Sequence, residues 1–188
     1  MSSRYAGFTV IELMITVALL AILMGIAAPS LRDLTLNARV TSQANDLMTD
    51  LAIARNEAVK RGARAAVCAS SSGTACTNSA WNQGWIVFVD PDGDGTVAAA
   101  ADVIKAVPAL DGANTLVSAG HANNGAGGPM VSYRPSGVVT PGGAGTVTFD
   151  LCDSRTTANV GAAASANKGR RITVSGTGRA FAQRRTCP

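Results

Sequence analysis

The chain has 188 residues, 47% of them hydrophobic and 15% charged. That balance suits one folded domain plus an apolar segment and excludes wholesale disorder. Aromatics are scarce at 4% and glycines number 20, so small residues with Val, Ile and Leu must build most of the core between many turns. The formal charge of +4 is unevenly placed: residues 1–153 hold nine Lys/Arg against twelve Asp/Glu, whereas residues 154–188 hold seven Lys/Arg and no acid. A basic C-terminal fifth on a mildly acidic body points to an anionic partner, whether nucleic acid, lipid or another subunit.

The first seven residues, MSSRYAG, are short and polar and include Arg4. An apolar run follows from Phe8 to Ala28. At about 1.5 Å per helical residue it spans roughly 30 Å, the thickness of a bilayer core. An ordinary secretory signal fits poorly. The run is longer than a signal core, the small residue suited to cleavage (Gly7) precedes it, and it contains Glu12. A carboxylate in hydrocarbon costs several kcal/mol unless it snorkels to the interface or finds a cation. If cleavage follows Gly7, the new amine of Phe8 lies about one helical turn from Glu12, and a neighbouring copy can present the same amine.

The string G-F-T-V-I-E-L at Gly7–Leu13 resembles the prepilin motif of type IV pilins and type II secretion pseudopilins. The resemblance implies cleavage after Gly7 by a prepilin peptidase, N-methylation of Phe8 and a docking role for Glu12 toward other pilins or pseudopilins. It also implies residence in the bacterial inner membrane, single-pass with a periplasmic C-terminal domain. Pro29 stands where pilins often carry a helix-kinking proline, and a bend or local melting is expected there.

From Ser30 to Arg61 the pattern becomes amphipathic: Leu36, Val40, Ala44, Leu47, Leu51, Ala54 and Ala58 recur at spacings of four and three. Asp46, Asp50, Arg55 and Lys60 lie mostly off that stripe, Glu57 and Arg61 are spaced to pair, and Gly62 suits a helix end. This half is expected to pack on a globular domain. The strings L-A-I-A-R-N-E-A-V-K-R-G at Leu51–Gly62 and W-N-Q-G-W-I-V-F-V-D at Trp81–Asp90 are similar to the GspH/FimT family, which holds H-type pseudopilins and FimT/FimU-type minor pilins.

After Gly62 short strands are expected between Gly/Pro/Asn/Ser turns: 64–69, 85–90, 103–107, 115–118, 130–134, 146–151, 171–175 and 179–183. Segments 119–129 and 156–167 read as long loops. Trp81 and Trp85 flank an apolar strand and read as core anchors. The cysteines are Cys68, Cys76, Cys152 and Cys187, with no C-x-x-C pair, and His121 is the sole histidine, so a zinc site would need an unusual ligand set. Outside the cytoplasm an even count points to two disulfides. Three connectivities are open; the favoured one joins Cys68 to Cys76 in a local loop and Cys152 to Cys187 as a staple on the C-terminal tail.

The expected fold is α+β and pilin-like: a leader (1–7), a transmembrane half-helix (8–28), an amphipathic half-helix (29–62), and an antiparallel β domain with a basic end (63–188). Asp90, Asp92 and Asp94 in D-P-D-G-D-G resemble the start of a calcium loop. The twelfth position is Ala101, not Glu, and the simpler reading is an Asp/Gly-rich turn with a weak calcium loop as the alternative. No nucleophile or P-loop motif is present and no cofactor is expected, so the chain reads as a non-enzyme. The tail residues Lys168, Arg170, Arg171, Arg179, Arg184 and Arg185 are candidates for binding double-stranded DNA through phosphates. FimT-type minor pilins of DNA uptake carry Gly-Arg-x-Arg near the C-terminus. Gly178 and Arg179 match it here, and Phe181 replaces the second arginine. Two functions are therefore expected: a structural subunit of a type IV pilus or type II secretion filament, or a FimT-like DNA receptor for DNA uptake.

Overall fold

The computed structural model describes residues 7–140, 145–153 and 168–187. The leader before Gly7 and the loop expected over 156–167 lie outside the described residues. The chain divides into two compact units, one ending at Ala38 and the other beginning at Arg39. Helix α1 (Val10–Arg61) contributes to both and is unbroken through Pro29. Of the two outcomes expected at Pro29, local melting does not occur: proline removes one hydrogen bond, and the flanking turns hold the helix.

In the first unit, every residue from Gly7 to Ala28 is exposed. This half of α1 is long and apolar enough to cross a membrane. Thr9 caps its start: the Thr9 hydroxyl accepts from the Glu12 amide at 3.3 Å, and the Thr9 carbonyl accepts from the Leu13 amide at 3.1 Å.

In the second unit, the residues of α1 from Arg39 onward contain no glycine or proline, and their apolar stripe faces a core. Val40, Ala44, Leu47, Leu51, Ala54 and Ala58 are each at most 2% exposed, as their spacing predicts. The three alanines on that stripe are buried in the core with the larger side chains. Gly62, at φ +62°, ends the helix in the left-handed region that glycine tolerates. The Glu57–Arg61 pair forms at 2.7 Å, and that bond holds the Glu57 carboxyl below its usual range.

Two antiparallel sheets pack on this stripe. The first is ordered β3 (Val103–Val107), β2 (Trp85–Val89), β1 (Ala65–Ala69), β6 (Pro129–Tyr133), β5 (Ala122–Asn123), with β7 (Val139–Thr140) also on β6. The second is ordered β10 (Ala180–Arg185), β9 (Gly169–Ser175), β8 (Thr146–Cys152), β4 (Thr115–Ala119). Strands β5 and β7 were not expected; each is two residues long, and β5 lies within the expected 119–129 loop. Both exist because β6 offers them a backbone edge, a tertiary cause without a local signal.

One core joins Val67, Trp85, Val87, Val131 and Tyr133 of the first sheet to Leu116, Val147, Phe149, Leu151, Ile172 and Val174 of the second. β1 and β2 are buried on both faces, because Ala66, Cys68, Ile86, Phe88 and Met130 form a second cluster behind them. Trp81 meets Phe149 edge-on, with centroids 4.9 Å apart.

Asp50, on the same stretch of α1, has no exposed surface. It accepts from the Trp85 indole N–H at 2.8 Å and from the Lys105 ammonium at 2.6 Å. Helix, β2 and β3 thus meet at one carboxylate. Truncation would leave the buried indole N–H unpaired, while the half-exposed Lys105 can rehydrate. Asp50→Ala should therefore cost about 2–3 kcal/mol, and Asp50→Asn, which can keep the indole bond, about 1 kcal/mol. Urea unfolding of residues 30–188 checks both; equal costs would contradict the separate role of the indole bond.

Candidate functional site

Three regions hold the residues that the sequence singles out. At the N-terminal stem, Gly7 and Phe8 precede α1 and Phe8 is 80% exposed. Glu12 lies in the first helical turn, where the unsatisfied amide ends of the helix favour a negative charge. That stabilisation is about 0.3–1 kcal/mol, smaller than the several kcal/mol of burying a carboxylate in hydrocarbon. A bilayer-embedded Glu12 therefore still calls for a cation.

The second region is the basic C-terminal segment, which the fold divides. By strand register Arg171 and Arg185 share the outer face of the second sheet, the side away from Ile172 and Val174. Both converge on Asp150 of β8: Arg171 grips its two oxygens through bonds at 2.7 and 3.0 Å, and Arg185 pairs with Oδ2, which it shares with Arg171. Arg170 and Arg184 are cross-strand partners on the helix side. Arg170 donates to the Thr41 hydroxyl of α1 and to the Gly169 carbonyl, both at 3.0 Å. Burial, with Arg184 as a second cause, lowers its pKa. Lys168 is half-buried and also engaged. Arg179 and Arg184 are exposed and have no carboxylate partner among the described residues. Of the six candidate cations, Lys168, Arg170, Arg171 and Arg185 are engaged within the domain, and Arg179 and Arg184 stand open.

Gly178 belongs to the turn between β9 and β10. At φ +82° its backbone presses on Gly137, whose carbonyl a Cβ would strike. The Arg55 guanidinium of α1 donates to the same carbonyl at 3.0 Å, so Gly178 fixes the turn that presents Arg179. Beyond β10, Cys187 is bonded to Cys152 at the end of β8, with Cα atoms 5.9 Å apart. The other disulfide joins Cys68 to Cys76, Cα atoms 5.6 Å apart. The C-terminal basic strand is thus clamped at both ends.

The third region is the acidic loop after β2. Ligand atoms of Asp90, Asp92 and Asp94 lie within 4.8 Å of one another. Asp90 is 1% exposed and its Oδ1 accepts from the Gly93 and Gly95 amides at 3.0 and 3.4 Å. Asp94 accepts from the Thr96 amide and hydroxyl at 2.7 and 2.8 Å. These bonds make a turn, with Gly95 at φ +75°. His121 bonds through Nδ1 to the Ser118 hydroxyl at 2.9 Å, and that oxygen also accepts from the Trp81 indole at 2.9 Å. The indole only donates, so the Ser118 hydroxyl accepts from it while bonding His121, and burial lowers the imidazole pKa and favours the neutral ring. The triad steadies Trp81.

Sequence reasoning missed Asp50 and Asp150 as charge partners. Asp150 was findable: it alternates with Phe149 and Leu151 and so faces outward, beside an equally outward Arg171. Asp50 needs the fold, since Lys105 is 55 residues away.

An apolar half-helix carrying one carboxylate, followed by an amphipathic half packed on antiparallel sheets, defines a pilin-like protein. The family model described as Type II transport protein GspH matches residues 43–178, and that of the prokaryotic N-terminal methylation motif matches residues 2–28. The chain belongs to the GspH family of pilin-like proteins. No curated protein sequence matches it. Among solved structures it is similar to the type IV minor pilin FimU of Pseudomonas aeruginosa, at 18% identity and a TM-score of 0.53 over 77% of this chain and 87% of that one. It is also similar to the minor pseudopilin EpsH of the Vibrio cholerae Type 2 Secretion System, at 13% identity and a TM-score of 0.52 over 78% and 97%. At these identities the likeness is one of fold.

Burial, the largest cause, raises the Asp90 carboxyl above its ordinary value. An acid so raised favours the folded state most when protonated, and that contribution is lost as pH rises through the folded value. Asp90→Asn keeps an oxygen acceptor without the charge. In chelator, its urea midpoint should exceed that of the wild type at pH 7 and match it near pH 3. A lower midpoint at pH 7 would show that the turn needs the charge.

Proposed function

We propose that the chain is a minor pilin or pseudopilin subunit of a type IV pilus or type II secretion filament. It is inserted as a single-span precursor in the bacterial inner membrane, with residues 39–188 on the periplasmic side. A prepilin peptidase cleaves after Gly7, Phe8 is methylated, and the stem joins other pilins or pseudopilins. The observation that carries this reading is the exposed apolar stretch Phe8–Ala28 with Glu12 as its sole charge, in the first turn of α1. Apolar side chains hold the stem in lipid and give neighbouring stems a packing surface. The Glu12 carboxylate, costly alone, is relieved by the Phe8 amine of an adjacent copy. Assembly then gains from a cost that the isolated subunit bears. Glu12→Val should leave membrane insertion intact and remove the protein from sheared filaments. Wild-type amounts of the variant in the filament fraction would contradict the pairing.

A second reading, DNA binding for uptake, is favoured by one observation: Arg179 and Arg184 are exposed without a carboxylate partner among the described residues. Phosphate contacts of this kind weaken steeply with salt. The Arg179→Ala, Arg184→Ala double variant should lose duplex DNA in gel shifts at low salt while keeping its unfolding midpoint. Arg171→Ala should lower the midpoint instead, because it strips a partner from Asp150. Unchanged DNA retention by the double variant would overturn this reading.

A further inference from the structure

We propose that the outer face of β10 takes single-stranded DNA, with Phe181 stacking on a base and Arg179 holding a phosphate; this rests on the DNA-binding reading above. Phe181 is 41% exposed, on a strand whose far edge has no neighbour among the described strands. Its one cross-strand partner is Thr173, a small polar side chain that leaves part of the ring open. Strand alternation puts Phe181 and Gln183 on the same face, about 7 Å apart, and Arg179, one residue before β10, continues the ladder because its carbonyl accepts from the Ser175 amide. All three are exposed. A cation, an aromatic ring and an amide thus stand in a row: one suits a phosphate, one a base face, one a base edge.

The chemistry separates the candidate occupants. An apolar protein surface laid on Phe181 would desolvate Arg179 without supplying an anion, which costs more than the ring gains. A polyanion supplies one at each step. A duplex satisfies the arginines but keeps its bases stacked on one another, so the ring finds no free base face. A single strand offers phosphates and unstacked bases together, and stacking is tolerant of sequence because every base has a π-face. The neighbouring surface suits such a ligand as well. Asp150, the sole acid on that face of the sheet among the described residues, is already neutralised by Arg171 and Arg185, so it does not repel a phosphate chain. Thr148 and Thr173 next to Phe181 keep the surface low and polar.

The test is fluorescence anisotropy of the full chain in detergent with labelled dT12, and with a blunt duplex of the same length, at low salt. The wild type should bind the single strand several-fold more tightly than the duplex. Phe181→Ala should weaken single-strand binding about tenfold with duplex binding unchanged, and Phe181→Trp should retain or strengthen it. Arg179→Ala should weaken both and reduce the salt dependence of each. Equal binding of strand and duplex, insensitive to Phe181, would overturn the stacking proposal and leave phosphate binding standing. Binding of neither probe at low salt would overturn both. Phe181 is 41% exposed, so Phe181→Ala should lower the unfolding midpoint only slightly and leave the chain folded, and the Phe181→Trp variant reports on stacking without that loss.

Discussion

A single buried carboxylate ties the domain together. Asp50 is out of contact with solvent, on a helix turn flanked by Leu47, Leu51 and Ala54. An unpaired charge there would cost several kcal/mol. Two donors from the first sheet remove that cost, the Trp85 indole and the Lys105 ammonium. Because the two must reach the two oxygens of one carboxylate, the rotation and height of the helix on the sheet are specified more narrowly than apolar packing alone would do. The alanines of the stripe permit a range of close-packed positions; Asp50 selects one. Trp85, so held, lies in the core with Trp81, and Trp81 is held in turn by Ser118 and Phe149. With aromatics this scarce, fixing two tryptophans orders a large share of the core.

The second sheet handles charge in the opposite sense. Seven cations and no acid fall after residue 153, and the fold neutralises part of that excess with an aspartate from an earlier strand. Asp150 takes both Arg171 and Arg185, and Arg170 turns to the helix. What reaches solvent is a narrow strip along β10, clamped at one end by the Gly178 turn and at the other by the Cys152–Cys187 bond. The stem and the strip serve separate ends. On the function proposed above, the stem would answer to lipid and to other stems, and the strip to a ligand beside the sheet edge.

Much of this was legible in the sequence, for physical reasons. The stripe from Val40 to Ala58 has a helical period, and the structure buries those residues together. Leu36, on the same period, is half-exposed, since a period states which side a residue occupies but not where the domain begins. Strand positions followed from β-branched runs between turns, with ends off by one or two residues where pairing continues past the apolar pattern, as at Gly169 and Arg185. β5 and β7 carried no local signal because two residues of ladder depend wholly on the partner strand. Which of the six candidate tail cations pair within the domain was not legible for a related reason: charges separated by tens of residues, such as Asp150 and Arg171, meet across a register that the sequence does not print. Glu12 was readable because its environment, an uninterrupted apolar run, is local.

The claim on which the functional account turns is that the apolar stem stays on the mature protein, beginning at Phe8. Intact-mass measurement and N-terminal sequencing of the membrane-extracted protein test it directly. The account predicts a chain starting at Phe8, heavier by one methyl group, with Glu12 four residues in. A chain that keeps residues 1–7, or one that starts beyond Ala28, would contradict it.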